Sequence, residues 1–286
     1  MTVPRPPSVG ATAARRLLCV AGALLLFVGV AAAREPAGGR AGLDLSRPQP
    51  LSVFRPTQMS YGAGLVQYLT NRWEQKAADR GQPLGEFLQA KAARAAPVPV
   101  VVAPSGALMA LDRHHHIEAF RTLSGRTGAD IRLPVKVVRD YTGVSKTRFA
   151  ENFIHRLRQG YFPPALRKLS AVERMKALPK SFDKMHDDPV RAAVGIAFRQ
   201  LGLNDLRMRN YAELRLGELL VKRGLGERAR EMAGRSGGSA DPSSTPMVRA
   251  ARDMIVSDRK IRQAVVGLGL KKHDRHEIAR TLRKAS

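Results

Sequence analysis

The chain has 286 residues, and its 49 Lys and Arg outnumber its 24 Asp and Glu, which gives a formal net charge of +25 at pH 7. This excess favours polyanionic partners, namely nucleic acid, an anionic membrane surface or acidic glycans; a solvated, arginine-rich surface is the alternative explanation. The only cysteine, Cys19, lies in an N-terminal apolar run, so the rest of the chain excludes disulfides and thiolate chemistry. The sequence has no Walker loop, dinucleotide fingerprint or serine elbow, which argues against the commonest nucleotide hydrolases, dehydrogenases and esterases.

Residues 1–33 have the pattern of a secretory signal peptide. Arg15 and Arg16 precede an apolar run, and three alanines at 31–33 form a small-residue cleavage site. The mature chain would begin near Arg34 and would be periplasmic or secreted. Loss of Arg5, Arg15 and Arg16 would lower the net charge from +25 to +22. The alternative is an uncleaved signal that anchors the protein in a membrane.

Residues 34–50 are rich in Gly, Pro, Ala and Arg and predict a flexible leader. The apolar run 51–54 predicts a short strand. Apolar residues at helical spacing between 65 and 77 predict an amphipathic helix, and 84–88 predict a short second helix. A small α/β unit therefore begins near Leu51.

A hairpin and a histidine-rich helix follow. Two apolar runs, 98–103 and 107–111, flank a Pro-Ser-Gly turn, and Asp112 is a plausible N-cap for a helix that ends near Gly125. This places three consecutive histidines on the first helical turn, where backbone N–H groups lack partners and the helix dipole is positive. We expect this turn to bind a phosphate or carboxylate, with neutral histidines that donate one N–H to the anion and exchange a proton near neutral pH.

The remaining sequence predicts one more strand and then helices. The strand is 131–138, and the helices are 145–159, 188–202 with Asp188 as N-cap, and 205–223. Residues 234–246 predict a linker by composition, and residues 247–286 predict a basic helical tail. The tail is a candidate for polyanion contact; the alternative is a solvated terminal helix.

Three segments in this order resemble the ParB-like putative nuclease family, a distant branch of the ParB and sulfiredoxin superfamily. They are Phe54-Arg55-Pro56-Thr57-Gln58, the strand 98–102 with Leu111-Asp112-Arg113-His114-His115, and Asp187-Asp188-Pro189-Val190-Arg191. The resemblance covers roughly residues 51–223 and implies an α/β (α+β) fold. A small ParB/sulfiredoxin-like sheet with flanking helices would occupy 51–140, and a helical extension of the same domain would occupy 141–233.

The resemblance also implies roles for individual residues. In the superfamily, an Asp-Gly-His-His-Arg segment opens a helix and holds nucleotide phosphates. Asp112, His114 and His115 keep their places in this pattern, whereas Arg113 replaces the glycine and His116 replaces the arginine. The resemblance, together with the ability of a guanidinium to bind phosphate at Arg113 and Arg191, gives the candidate phosphate-binding residues Arg113, His115, His116, Thr57, Gln58 and Arg191. For Arg191 the alternative is an ion pair with Asp187 or Asp188.

These residues lead to three functional hypotheses. The first is an exported nuclease or phosphodiesterase in which His114, His115 and Asp112 are catalytic, with a histidine as general acid or base. The second is a non-catalytic module that binds nucleic acid or anionic lipid. The third is a periplasmic metal-binding protein, because His114 and Glu118 are four residues apart on one helix face. A divalent metal ion is the one candidate cofactor, and the sequence identifies no protein partner.

Overall fold

The structure is a computed structural model that describes residues 44–156, 166, 168–203, 206, 212–235 and 241–285. The predicted signal peptide, 1–33, and most of the predicted leader lie outside these residues. Within the described part of the chain, no helix combines the length and the apolar composition needed to cross a membrane.

A four-stranded mixed sheet carries the site. Its strands are β2 (Phe54–Pro56), β4 (Val98–Val102), β5 (Leu108–Ala110) and β7 (Val135–Asp140), in the order β2-β5-β4-β7. The antiparallel pair β4 and β5 confirms the predicted hairpin, while β2 runs parallel to β5 and β7 runs parallel to β4. The strand predicted at 51–54 is wrong in its position, because Leu51–Val53 form a 3-10 helix that Phe54 closes by donating its N–H to the Leu51 carbonyl.

Two further strand pairs have two residues per strand. Strand β1 (Gln49–Pro50) pairs with β6 (Arg132–Leu133), and β3 (Ser60–Tyr61) pairs with β8 (His186–Asp187). The second pair matters for the site because it ties the segment after β2 to the start of a distant helix.

The described residues contain eleven α-helices, which confirm the predicted mixed α/β class with a helical C-terminal region. They are α1 (Ala63–Ala78), α2 (Leu84–Ala93), α3 (His114–Thr127), α4 (Lys146–Arg156), α5 (Ala171–Ala177), α6 (Pro189–Gln200), α7 (Ala212–Lys222), α8 (Leu225–Arg235), α9 (Pro246–Ser257), α10 (Arg259–Gly267) and α11 (Lys272–Ala285). Helix α3 continues past Gly125 and ends before Gly128, whose φ of 69° suits a glycine C-cap. Helix α6 begins as predicted, since the Asp188 carboxylate accepts the Arg191 N–H at 2.9 Å.

Strand β4 is buried on both faces. Val100 and Val102 belong to the large core shared with α1, α3 and α6, whereas Val101 packs in a second cluster with Phe149 and Phe153 of α4. This alternation follows from the two-residue period of a strand. It explains why the run Val98–Val102 is apolar throughout.

Helices α1 and α6 approach each other closely. A Cβ atom built at Gly62 would lie 2.6 Å from the Cα of Ala192, and one at Gly195 would lie 2.5 Å from a methyl carbon of Leu65. At Gly62 the close atoms belong to the backbone, so only glycine fits there, whereas at Gly195 the Leu65 side chain would have to move. Gly62 therefore fixes how the start of α1 sits against α6.

The segment predicted as a basic tail is part of the main core. Val248, Ile255, Ile261 and Ile278 are buried in the same hydrophobic cluster as Phe54 of the sheet. The predicted linker, 234–246, is described in part. Helix α8 extends into it as far as Arg235, and a 3-10 helix, Pro242–Ser244, precedes α9. Residues 236–240 lie outside the described residues.

Candidate anion-binding site

The start of α3 differs from the sequence prediction by one residue. The N-cap is Arg113, so the prediction that Asp112 caps the helix is wrong. Arg113 has φ 68° and ψ 20°, and it is the only non-glycine residue with positive φ in the described part of the chain. This left-handed turn directs the Asp112 carboxylate to the adjacent Arg113 N–H, at 2.7 Å, instead of to the N–H groups of the helix.

His114 and His115 point inward and accept hydrogen bonds. Nε2 of His114 accepts the Thr57 N–H at 3.1 Å, and Nε2 of His115 accepts the Gly62 N–H at 3.0 Å. The two residues are 1% and 6% exposed. They hold both ends of the segment between β2 and α1, and their Nε2 atoms do not donate to an anion.

The environment keeps these rings neutral. Burial, reinforced by the positive charge of Arg191, lowers the pKa of His114 to about 3, although the Ala110 carbonyl acts in the opposite direction. Burial, Arg191 and Arg199 also lower the pKa of His115 well below its usual value. The expected neutral state is therefore present, but the expected proton exchange near neutral pH is not supported.

Three other predicted residues belong to this buried segment or contact it. The Thr57 hydroxyl donates to the Ala110 carbonyl at 2.7 Å, and Nη1 of Arg191 donates to the Ser60 carbonyl at 2.7 Å. Gln58 is buried, and neither its amide nitrogen nor its amide oxygen has a hydrogen-bond partner among the described residues. The structure thus gathers Thr57, Arg191 and the two inner histidines into a buried polar cluster.

Asp187 does not form the ion pair with Arg191 that the sequence allowed as an alternative. Its carboxylate accepts the Ala63 N–H at 2.7 Å and so holds the start of α1. Asp188 caps α6, and together with Glu213 and Asp112 it acts on Arg191 through its charge. Burial nevertheless lowers the pKa of the Arg191 guanidinium.

His116 and Arg113 face a different environment, a cavity of about 300 Å³ between α1, α2 and α3. Burial, with the charges of Arg199, Arg113 and Lys91, lowers the pKa of His116 to about 3, so this ring is also neutral. A neutral imidazole can donate one N–H to an anion in the cavity.

Basic side chains line the cavity. Besides Arg113 they are Lys76, Arg80, Lys91 and Arg94, and no Asp or Glu of the described residues is among the lining groups. The floor consists of buried apolar side chains, namely Phe87, Val98, Ile117, Phe120 and Leu133. The cavity is therefore positive at its rim and apolar beneath.

Lys91 contacts an aromatic ring and is surrounded by other cations. Its Nζ lies 4.7 Å from the ring centroid of Trp73, and the residue is half-buried. Burial lowers the pKa of Lys91, and the charges of Lys76, Arg72, Arg94 and Arg80 add to the effect. An anion in the cavity would relieve this repulsion between like charges.

The residues considered for metal binding have other partners. Nε2 of His114 is occupied by the Thr57 N–H, and Glu118 pairs with Arg121 at 3.2 Å. Burial raises the pKa of Glu118, against the opposing charge of Arg121. Across the described ranges, no group of three or more His, Cys, Asp or Glu side chains could hold a metal ion.

Sequence reasoning missed the four cations that α1 and α2 bring to the cavity. Lys76 and Arg80 are four residues apart, and Lys91 and Arg94 are three apart, a spacing that on a helix would put each pair on one face. In the structure α1 ends at Ala78 and α2 at Ala93, so Arg80 and Arg94 lie just past the helix ends. This spacing was the available signal. It could not show that both faces meet the first turn of α3.

Comparisons with known proteins agree with the fold. The sequence matches a family model with the description "Putative ParB-like nuclease" over residues 49–222. The crystal structure of protein Atu1540 from Agrobacterium tumefaciens is similar, with a TM-score of 0.50 and 20% sequence identity, over 76% of this chain and 94% of that chain. At this identity the likeness concerns the fold alone. No curated protein matches the sequence.

Proposed function

Because the chain belongs to the ParB-like putative nuclease family, we propose that it binds a phosphate-bearing ligand in the cationic cavity beside the start of α3. The observation that carries this proposal is the lining, which combines five Lys and Arg side chains with no carboxylate of the described residues. Such a site attracts anions and has no built-in counter-charge.

The start of α3 supplies Arg113, one of these five cations, and adds the His116 imidazole as a further donor. Arg113 and His116 line the cavity, and a guanidinium can bind two phosphate oxygens at once. Arg113 occupies a left-handed backbone conformation that costs a non-glycine residue about 1 kcal/mol. A strained residue of this kind supports a functional use of its side chain.

The state of the inner histidines favours binding over hydrolysis. A general acid or base works best when its pKa lies near the operating pH. His114 has a pKa of about 3, and both rings use Nε2 to accept backbone N–H groups. We assign His114 and His115, together with Asp112, to holding the helix start in place.

Calorimetric titration of the purified protein with pyrophosphate tests the proposal. Lys91→Met should weaken binding by about tenfold or more, the loss expected when one charged hydrogen bond is removed. Arg252→Met is the matched control, since Arg252 is exposed on α9 and does not line the cavity. Equal affinities for all three proteins, or no binding by any, would contradict the proposal.

Incubation with plasmid and single-stranded DNA, with and without a chelator, tests the catalytic alternative. A binding protein should leave both substrates intact under all conditions. Cleavage that disappears in His115→Gln, at unchanged pyrophosphate affinity, would show that the histidine turn is catalytic after all.

A further inference from the structure

Lys91 differs in its chemistry from the other cations that line the cavity. We propose, on the basis of the proposed function, that the ligand is a small phosphorylated aldehyde and that the Lys91 amine condenses with its carbonyl carbon to form an imine. The phosphate lies against the arginines of the cavity, and the aldehyde faces Lys91. The cavity is then a site of reversible covalent binding and not of anion binding alone.

The amine of Lys91 is held at the cavity and not extended into solvent. Lys91 lies in the last turn of α2 and is half-buried, whereas Lys76, the second lysine of the lining, is exposed. Nζ of Lys91 lies 4.7 Å from the ring centroid of the buried Trp73, so the amine lies against α1. Because Lys91 lines the cavity, a small ligand bound there can reach its amine.

The charges around this amine favour its neutral form. No Asp or Glu of the described residues lines the cavity. The charged groups that act on Lys91 in the described part of the chain are all cations, namely Lys76, Arg72, Arg94 and Arg80. Burial lowers the pKa of Lys91, and these like charges lower it further. The face of the Trp73 ring favours the ammonium form, so Lys91 has access to a charged and a neutral state. The neutral state is the nucleophile in imine-forming lysines.

The three arginines of the lining have a different role. A guanidinium stays charged in proteins and binds phosphate oxygens through paired N–H groups, whereas an amine can lose its proton and attack a carbonyl carbon. Arg80, Arg94 and Arg113 line the same cavity as Lys91. The lining therefore combines three permanent cations with one group that can form a covalent bond. A ligand that uses both kinds of group carries a phosphate and a carbonyl.

The covalent step is a condensation that releases water. The lone pair of the Lys91 nitrogen adds to the aldehyde carbon, the π bond of the carbonyl breaks, and the oxygen takes up a proton that leaves the nitrogen. The resulting carbinolamine loses its oxygen and the second N–H proton as water, and a C=N bond forms. No oxidant or reductant takes part. The protonated imine carries a positive charge, which the bound phosphate offsets.

Pyridoxal 5′-phosphate is a coloured probe for this class of ligand, because its imines with lysine absorb visible light and cyanoborohydride reduces them to stable amines. Titration of the purified protein should give an imine absorbance that saturates, and peptide mass mapping after reduction should place the label on Lys91. Pyridoxal, which lacks the phosphate, should bind about tenfold or more weakly, since a charged hydrogen bond is worth that factor. Glyceraldehyde 3-phosphate and glyceraldehyde repeat the comparison without an aromatic ring.

Two lysine variants separate the amine from its charge. Lys91→Arg keeps the positive charge, so it should still bind pyrophosphate, but it should lose the imine absorbance and the label. Lys76→Arg is the matched control, because it removes the second lysine of the lining and should keep the label on Lys91. Excess pyrophosphate should block labelling of Lys91 and leave labelling of Lys260, which is exposed on α10, unchanged. Circular dichroism verifies that both variants are folded.

The outcomes separate this inference from the proposed function. If pyrophosphate binds but the label spreads over exposed lysines and is the same in Lys91→Arg, the inference fails and the proposed function survives. If pyridoxal labels Lys91 as readily as its phosphate does, the phosphate does not direct the reaction and the inference is overturned. If neither pyrophosphate nor a phosphorylated aldehyde binds, both fail.

Discussion

Arg113 takes the left-handed conformation (φ 68°) at the position where the family pattern has glycine. Glycine adopts this conformation without a steric cost, which explains the pattern. Arg113→Gly should therefore leave the free energy of unfolding unchanged or raise it by up to about 1 kcal/mol, because relief of strain offsets the greater freedom of the unfolded chain. Urea denaturation measures this change.

The same variant should lose affinity for pyrophosphate, because it removes one of the five cations of the cavity. A protein that is at least as stable as the original and binds pyrophosphate more weakly is the expected result. If Arg113→Gly binds pyrophosphate as tightly as the original protein, the arginine has no role in anion capture.

The inner histidines should make the fold sensitive to acid. Their pKa values are lowered in the folded state, to about 3 for His114, from a usual value of 6.5. Below pH 6.5 the unfolded chain therefore binds protons that the folded chain does not, and each such histidine costs up to about 1.4 kcal/mol of stability per pH unit. Stability is unaffected by these groups above pH 6.5 and falls as the pH approaches 3.

His115→Gln isolates this effect, since the amide oxygen can accept the Gly62 N–H in place of Nε2 and does not titrate. Urea midpoints between pH 7 and pH 4.5 should fall less steeply for His115→Gln than for the original protein. His276→Gln, at an exposed position of α11, is the control and should leave the slope unchanged. Identical slopes for His115→Gln and the original protein would show that His115 is not kept neutral by burial.

At the scale of elements, the contact between α1 and α6 depends on Gly62. Gly62→Ala would place a methyl group 2.6 Å from the backbone of Ala192, so the two helices must separate. The expected cost is about 1 to 3 kcal/mol in the free energy of unfolding. Gly64→Ala is the control, because its Cβ would lie 3.4 Å from the Ala192 side chain and alanine favours the helix. Equal melting temperatures for Gly62→Ala and Gly64→Ala would contradict the close contact between α1 and α6.

Elements with strong local signals could be predicted from the sequence. The hairpin of β4 and β5 follows from two apolar runs around Pro-Ser-Gly, and the start of α6 follows from Asp188-Pro189. Local signals were insufficient at Leu51–Val53, where an apolar run forms a 3-10 helix, and at Asp112, where the left-handed Arg113 displaced the cap. At Asp112 the backbone conformation of one neighbouring residue, Arg113, decides the outcome.

At the scale of the whole molecule, the cavity could not be derived from sequence patterns. Its cations come from the end of α1, from α2 and from the start of α3, and only tertiary packing brings these faces together. The histidine turn was correctly placed at the start of a helix, but two of its three rings lie in the interior. The cavity that we propose as the anion site is therefore next to the predicted residues and shares Arg113 and His116 with them.

Export of the protein is a prediction from the sequence of residues 1–33. Expression in a bacterial host with an active secretion system should yield a mature protein that begins near Arg34, because 1–33 have the three parts of a cleavable signal. N-terminal sequencing and the intact mass of the exported fraction measure this. A product that retains Met1 and sediments with membranes would instead identify an uncleaved anchor.

The central claim is that this protein captures phosphate in the cavity between α1, α2 and α3. A crystal structure of the complex with pyrophosphate tests it most directly. The expected result is a phosphate group within hydrogen-bond distance of Lys91 and Arg113. A phosphate bound elsewhere, with this cavity filled only by water, would contradict the account.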